Sequence, residues 1–458
     1  MSVLGTTKNP GDQGELFNFT NGVDIDVYFC KQEIKVQKAW IESLVLISLI
    51  TKEEAQKLAA VLEEALVLML NGKFPWQIED EDIHMNLERF VTTKLGVLGK
   101  QIHLGRSRND LIATTLRLFV CDALKELRNH LSALVEVLCN RAEDTIDIIV
   151  PGTTHLQHAQ PIRFGHILSA HAWAFMRDKE KSLFAESQAM TAMPLGSAAL
   201  AGTTLSVNLI ELAKRLGFES PPCNSYDAVG DRDFMLLAFD TFSGVALHMS
   251  RLSEDVIHWA STPVGLVKLP KNWSTGSSIM PNKRNPDVPE LIRGKASHII
   301  SSQTNAYLLM KALPTSYDSD LHELKSVFLR AASELRKCFS VLVPFLKELE
   351  VNKEQAAKHL SQGHLMATEI ANHLTEQGVA FREAYIQTAA LVELADSEGV
   401  SIEKLKSDKI RKVAPQINIQ WIESLSFEKT VEARRQSGGT SLETSLNGIK
   451  KLRTKNSS

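Results

Sequence analysis

Between Ser274 and Pro286 the chain reads Ser-Thr-Gly-Ser-Ser-Ile-Met-Pro-Asn-Lys-Arg-Asn-Pro. Two adjacent hydroxyls, Ser277 and Ser278, share this short stretch with the cations Lys283 and Arg284 and the amide of Asn285. Lys283 and Asn285 supply donors suited to a carboxylate. Gly276 allows the backbone to approach a ligand closely or to take positive φ, while Pro281 and Pro286 restrict how far the loop can wander. The same composition also serves ordinary linkers, so the loop alone leaves both readings open.

Comparable clusters occur elsewhere. His103-Leu104-Gly105-Arg106-Ser107-Arg108-Asn109-Asp110 packs two arginines, a hydroxyl, an amide and a carboxylate around one glycine. Pro151 to Pro161 holds Thr153, Thr154, His155, Gln157 and His158, and Asn224 to Asp233 is a third polar cluster. The acidic run Glu79 to Glu88, with His84 inside it, reads equally as a functional loop or as a solvated helix start favoured by the helix dipole.

The elements that must position these clusters are helices. Thr51-Lys52-Glu53-Glu54 fits a capping box, predicting a helix to about Leu70 that stops at Asn71-Gly72. From Leu111 to Ala142 there is no Pro or Gly, and Val120, Leu124, Leu127, Leu131, Leu134 and Leu138 recur at helical spacing. At about 1.5 Å per residue that helix spans roughly 45 to 50 Å. Further long helices are expected after the 151–161 cluster, with Pro161 at position N1, and over Phe234–Ser261, Pro286–Leu313 and Ser319–Glu348. Shorter helices follow Asn352 and Phe381. Period-two alternation is absent, so strands are expected to be few. The chain is thus expected to be all-α, in three helical domains at 1–108, 109–350 and 351–458, with polar clusters at the ends of long helices.

Composition narrows the class. The chain has 458 residues, 23% charged and 44% hydrophobic, with a formal net charge of −3, which suits a folded protein and offers no basic nucleic-acid footprint. Five cysteines stand at 30, 121, 139, 223 and 338 without a Cys-x-x-Cys pair, the usage of reduced thiols in a cytoplasmic protein. The apolar stretch Leu44–Ile50 is too short for a membrane span, the N-terminus lacks a targeting pattern, and the basic run Lys450–Lys455 reads as a frayed, solvated end.

The clusters at 103–110, 151–161 and 274–286, in that order and separated by long helices, resemble the signature regions of the fumarase/aspartase superfamily. Asp82-Ile83-His84, Gly105 to Asp110, Thr154-His155-Leu156-Gln157, Asp231-Arg232-Asp233-Phe234, Gly276 to Pro286 and Phe381-Arg382-Glu383-Ala384 are similar to the argininosuccinate lyase and δ-crystallin branch. The resemblance covers nearly the whole chain. It implies a homotetramer whose long helices form a twenty-helix core, with each active site drawn from three subunits. It further implies a small-molecule substrate, no cofactor, no metal, and neither nucleic acid nor membrane as partner.

The chemistry implied is a β-elimination that releases fumarate from a substituted succinate. Such a reaction needs a base aimed at a weakly acidic C–H and preorganised donors where negative charge develops on the neighbouring carboxylate. By resemblance Ser277 is the base, its alkoxide stabilised by loop amides and Lys283. Lys283 and Asn285 hold the reacting carboxylate, and His155 assists with Glu290 as its orienting carboxylate. Ser107, Arg108, Asn109 and Thr154 correspond to binders of the fumarate half. Tyr317, His322 and Lys325 correspond to contacts for the amine half, and Asp82 and His84 lie in an acidic loop near the site.

Several positions depart from the family pattern: Gly22 for a serine, Gln37 and Trp40 for Ser and His, Leu104 for Thr, Asp318 for Asn, His322 for Gln, and Tyr385 for His. Most concern the amine half, so three readings follow. The first is cleavage of argininosuccinate to arginine and fumarate; the second is elimination from another N-substituted aspartate; the third is a non-catalytic, crystallin-like role, against which the retained base, cation and His-Glu pair weigh.

Overall fold

A computed structural model of the chain describes residues 10–457. It is all-α in class, carried by long helices at Arg108–Asp144, Phe164–Ala189, Asp233–Ala260, Asp287–Met310 and Glu323–Lys347. The first has 37 residues, or about 55 Å at the usual helical rise. It starts earlier than its apolar pattern because Ser107 caps it: Ser107 Oγ accepts the Asn109 N–H at 3.3 Å, and Asp110 Oδ1 accepts the Ser107 N–H at 3.1 Å. The expected capping box at Thr51 and Glu54 also forms, and the Lys52–Leu70 helix follows it. Among the described residues no helix is long and apolar enough to cross a membrane.

The chain folds as two compact units. Among the described residues the first comprises those up to Arg128, Glu180–Ala246 and Ser297–Arg336, the second Asn129–Lys179, Leu247–Ala296 and those from Lys337 onward, so the unit boundaries fall inside the five long helices. In the first unit, Phe328 lies among Phe119, Phe239 and Phe242 with ring centroids 5.2 to 6.0 Å apart. Phe328, Phe239 and Phe242 are fully buried and each contributes about 1.5–3 kcal/mol, while Phe119 is half-buried. A second apolar cluster joins Trp40, Leu44, Leu58, Leu62 and Leu87 with Met193, Leu195 and Leu212.

The second unit corrects three expectations. The 151–161 cluster does not open a helix: Ile149–Thr154 and Gln157–Arg163 form an antiparallel hairpin, and the helix begins at Phe164. Pro161 faces Pro151 across that ladder. The Phe164 N–H donates to Ile148 C=O, and counting the alternation of pairs from there places the prolines in a non-hydrogen-bonded pair, where neither needs an N–H. Two-residue strands Thr275–Gly276 and Arg284–Asn285 likewise turn the 274–286 stretch into a small hairpin. Finally, the Lys450–Lys455 run is no frayed end. It belongs to the Leu442–Ser457 helix, whose Ile449 and Leu452 are buried and whose Arg453 bonds Glu136, Asn140 and Glu143. Four of the five cysteines are buried and Cys223 is exposed.

Candidate active site

In the first unit a cavity of about 460 Å³ is lined by Gly22, Asp26, Glu81, Asp82, Arg108, Asn109, Tyr317, His322, Glu323 and Lys325 among others. Local structure delivers each group. Asp82 is the N-cap of the Ile83–Leu95 helix: Oδ1 accepts the Met85 N–H at 2.9 Å, leaving Oδ2 to accept from Arg108 Nη1 at 2.8 Å. Burial alone would push this carboxyl up, but His84 and Arg108 hold it below the usual range. Arg108 and Asn109 are the first residues of the long helix, and Asn109 Nδ2 donates to Ala199 C=O at 3.1 Å. Asp110 Oδ2 accepts the N–H groups of Gly196 and Ala198. Just before this, Gly105 has φ 76° and a side chain there would collide with Leu205, so the sharp entry to the helix requires glycine.

Tyr317 and His322 share a hydrogen bond. Burial pushes the Tyr317 phenol up to about 12 and the His322 imidazole down to about 4. Tyr317 therefore donates, and a neutral His322 accepts at Nε2. Lys325 Nζ lies 2.7 Å from Asp26 Oδ1, both buried, and Asp26 Oδ2 also accepts the Ile83 N–H. Lys325→Met would strand the Asp26 charge, so an expected loss of about 3–5 kcal/mol should appear as a lowered denaturation midpoint. A midpoint unchanged by the substitution would contradict a buried ionised pair.

The acidic run is not a solvated helix start, since Asp82 and His84 are buried. Behind the cavity wall His84 Nδ1 lies 3.0 Å from Glu33 Oε1. Burial opposes both charges, yet each partner offsets it: His84 is raised from 6.5 and Glu33 lowered from 4.5. The contribution of His84 is complete below pH 6.5 and is lost as pH rises through its raised folded value. That of Glu33 is complete above pH 4.5 and is lost as pH falls through its depressed value. Denaturation curves of the His84→Gln variant should therefore differ most from the parent in mildly acidic buffer and converge at alkaline pH. A difference independent of pH would deny the pair its charge.

Three of the departures form one contiguous layer here. Trp40 Nε1 donates to Leu104 C=O at 2.9 Å, Arg106 lies over the Trp40 ring, and Arg106 Nη2 donates to Gln37 Oε1 at 2.6 Å. Gln37 in turn donates to Glu33 at 2.6 Å. Gln37 and Trp40 thus share Arg106 as a partner, and Leu104 joins the layer through its backbone carbonyl.

The second unit carries the other candidates. Thr154, His155 and Leu156 sit at the tip of the long hairpin, exposed, with His155 at φ 54° and Leu156 at φ 58°. In the small hairpin, Thr275 is tied through its N–H and Oγ1 to Asp287 Oδ2, and Asn285 Nδ2 donates to Thr275 Oγ1 at 3.4 Å. Ser277 Oγ accepts two backbone N–H groups, from Ile279 at 3.2 Å and Met280 at 3.0 Å. Lys283 is exposed and its charge helps to depress Asp287, whose first cause is the Thr275 hydroxyl. Glu290 occupies the first turn of the Asp287–Met310 helix, exposed. Among the described residues of this single chain, His155 and Glu290 are not paired. The structure therefore gathers Asp82, Arg108, Asn109, Tyr317, His322 and Lys325 at one cavity, with His84 behind and Ser107 beside them. Thr154 and His155 stand on one hairpin, and Ser277, Lys283 and Asn285 on another with Glu290 next to it.

Residues 15–301 match the family profile described as Lyase, and residues 364–432 that described as Argininosuccinate lyase C-terminal. The argininosuccinate lyase of Lawsonia intracellularis is 36% identical over 436 residues, 95% of either chain. That of Desulfovibrio desulfuricans is 37% identical over 444 residues, 97% of this chain and 95% of the other. The chain belongs to the argininosuccinate lyase family. Its fold is shared with EDDS lyase in complex with formate (TM-score 0.81, 21% identity, 98% of this chain and 90% of that one). It is also shared with class II fumarase from Schistosoma mansoni (TM-score 0.72, 18% identity, 87% and 89% of the chains).

Set in this family, the Asp231-Arg232-Asp233-Phe234 motif has a visible structural task. Asp231 pairs with Arg117, whose guanidinium lies 4.4 Å from the Phe234 ring centroid. The side chain of Arg232 is buried against the Val229 and Asp231 carbonyls. Sequence reading missed Asp26, Glu33 and Glu81. Glu81 was visible as part of the acidic run, whereas nothing local distinguishes Asp26 or Glu33 from the other acids of the first helices.

Proposed function

We propose that the chain cleaves argininosuccinate to arginine and fumarate, acting as a carbon–nitrogen lyase. The observation that carries the reaction type is Ser277 Oγ receiving two backbone N–H groups within the loop that also bears Lys283 and Asn285. Donors of this kind stabilise the oxygen most when it is an alkoxide. In the elimination, Ser277 Oγ takes the proton from the carbon beside the succinyl carboxylate. The electron pair of that C–H bond becomes the new C=C bond, and the C–N pair departs with the amine. Lys283 and Asn285 hold the carboxylate on which charge accumulates. Ser107, Arg108, Asn109 and Thr154 hold the fumarate half, and Tyr317, His322 and Lys325 the amine half. His155, oriented by Glu290, assists proton movement.

Substrate choice draws on near-full-length relatedness to argininosuccinate lyases and on the cavity wall. There Asp26, Glu81, Asp82 and Glu323 outnumber Arg108 and Lys325, a balance suited to a cationic guanidinium. A second reading, elimination from another N-substituted aspartate, is favoured by Gly22 and His322, two departures that both line this cavity. The working form in this proposal is a cytoplasmic homotetramer, built from segments 1–108, 109–350 and 351–458, in which three subunits complete each site. Its support is the length of the helices and the placing of Thr154 and His155 on one hairpin and of Ser277, Lys283 and Asn285 on another. Incubation with argininosuccinate, followed by fumarate absorbance, is the direct test. Absence of turnover at millimolar substrate overturns the first reading, and turnover of another aspartate conjugate in its place establishes the second.

A further inference from the structure

Glu81 has a backbone that a glutamate rarely adopts. Its φ is 58° and ψ −52°, and the Asp82 N–H donates across it to Asp80 C=O at 2.6 Å. This is a γ-turn with positive φ at its centre, the rare and strained hand. Strain of this kind persists only where surroundings hold it, and it clusters at functional sites. Two contacts hold it: Glu81 C=O accepts the Gly22 N–H at 2.8 Å, and Glu81 Oε2 accepts from Arg108 Nη1 at 2.8 Å.

The turn has a geometric result. In extended chain, consecutive side chains point to opposite sides, yet Glu81 and Asp82 converge on one nitrogen, each 2.8 Å from Arg108 Nη1. Met85 Sδ, at 3.6 Å, meets the same nitrogen. All the contacts that Arg108 makes through its guanidinium among the described residues are on Nη1; Nε and Nη2 have no partner there and are not among the buried unsatisfied atoms. Those two N–H groups form the side-on edge of a guanidinium, the fork that matches a carboxylate in two parallel bonds. Arg108 lines the cavity.

We propose that Glu81 is a positioning residue: through the strained turn it joins Asp82 in clamping Arg108 Nη1, so that the Nε/Nη2 edge stays open for a bidentate substrate carboxylate. The proposal rests on Arg108 being a carboxylate binder, as in the proposed function. It differs from a stabilising role for Glu81, because the turn is strained and the clamp acts on binding.

The test uses the full-length enzyme, with fumarate inhibition and substrate KM and kcat as readouts. Glu81→Gln keeps the shape and removes the charge. It should raise the fumarate inhibition constant and KM about tenfold, the range of one charge-assisted hydrogen bond, and change kcat less. In an Arg108→Ala background the same substitution should add nothing, because Glu81 acts through Arg108. Glu81→Gly, which relaxes the turn, should bind fumarate as weakly as Glu81→Gln while melting no lower than the parent. An unchanged or tighter fumarate constant in Glu81→Gln, or equal losses with and without Arg108, overturns the proposal. If Arg108→Ala itself leaves KM and fumarate inhibition intact, the carboxylate assignment of Arg108 fails first and takes the role of Glu81 with it.

Discussion

Replacing Ser277 with alanine is expected to lower kcat by about 10²–10⁴-fold, the usual worth of a positioned general base, while KM stays within a few-fold. An isolated serine hydroxyl is far too weak an acid to serve as a base near neutrality. In the loop its oxygen already accepts from the Ile279 and Met280 amides, so the donors that an alkoxide needs stand in place before the proton leaves. Alanine removes the oxygen and with it the two hydrogen bonds at the loop tip, while the base of the loop stays pinned by Thr275, Asn285 and Asp287. Steady-state kinetics with fumarate detection and a sizing measurement of the variant are sufficient. Retention of kcat within a few-fold would remove Ser277 from the base role.

Mixing two inactive variants, Ser277→Ala and His155→Asn, is expected to restore part of the activity. If each site takes these residues from different subunits, some sites in a mixed tetramer draw both from intact copies. The single chain leaves His155 and Glu290 exposed and not paired with each other, a condition a completed site would change. Denaturing and refolding differently tagged variants together, followed by two-step purification, isolates the mixed species. Proven mixed tetramers without recovered activity would show that the sites are not shared.

Much of this fold could be read in the chain because helices announce themselves locally. The apolar recurrence from Val120 to Leu138 and the Thr51–Glu54 capping box are short-range patterns, and both appear as expected. The Ile149–Arg163 hairpin was illegible for a physical reason. Its ladder includes two prolines and several polar residues and has a register shift after Gly152, so neither alternation nor an Asn-Gly turn marks it. Pro161 then mimicked a helix start. The basic C-terminal run misled similarly, since the carboxylates that receive Arg453 lie more than three hundred residues earlier. At the site, reactive side chains in signature loops were legible by type and spacing. Asp26, which meets Lys325 across 299 positions, depends on a pairing that exists only after folding.

The hairpin tip has a consequence for which substitutions position 155 can accept. His155 and Leu156 both hold left-handed backbone, as a two-residue hairpin turn requires, without a glycine to ease it. Asparagine and aspartate visit that conformation readily, whereas β-branched residues resist it. Exchange of His155 for Asn therefore probes chemistry alone, but Val, Ile or Thr would confound lost chemistry with a distorted turn. Drift at the tip is accordingly channelled: a lineage that loses the imidazole is expected to pass through Asn, Asp or Gly, and a randomised library at position 155 should return folded members enriched in those residues.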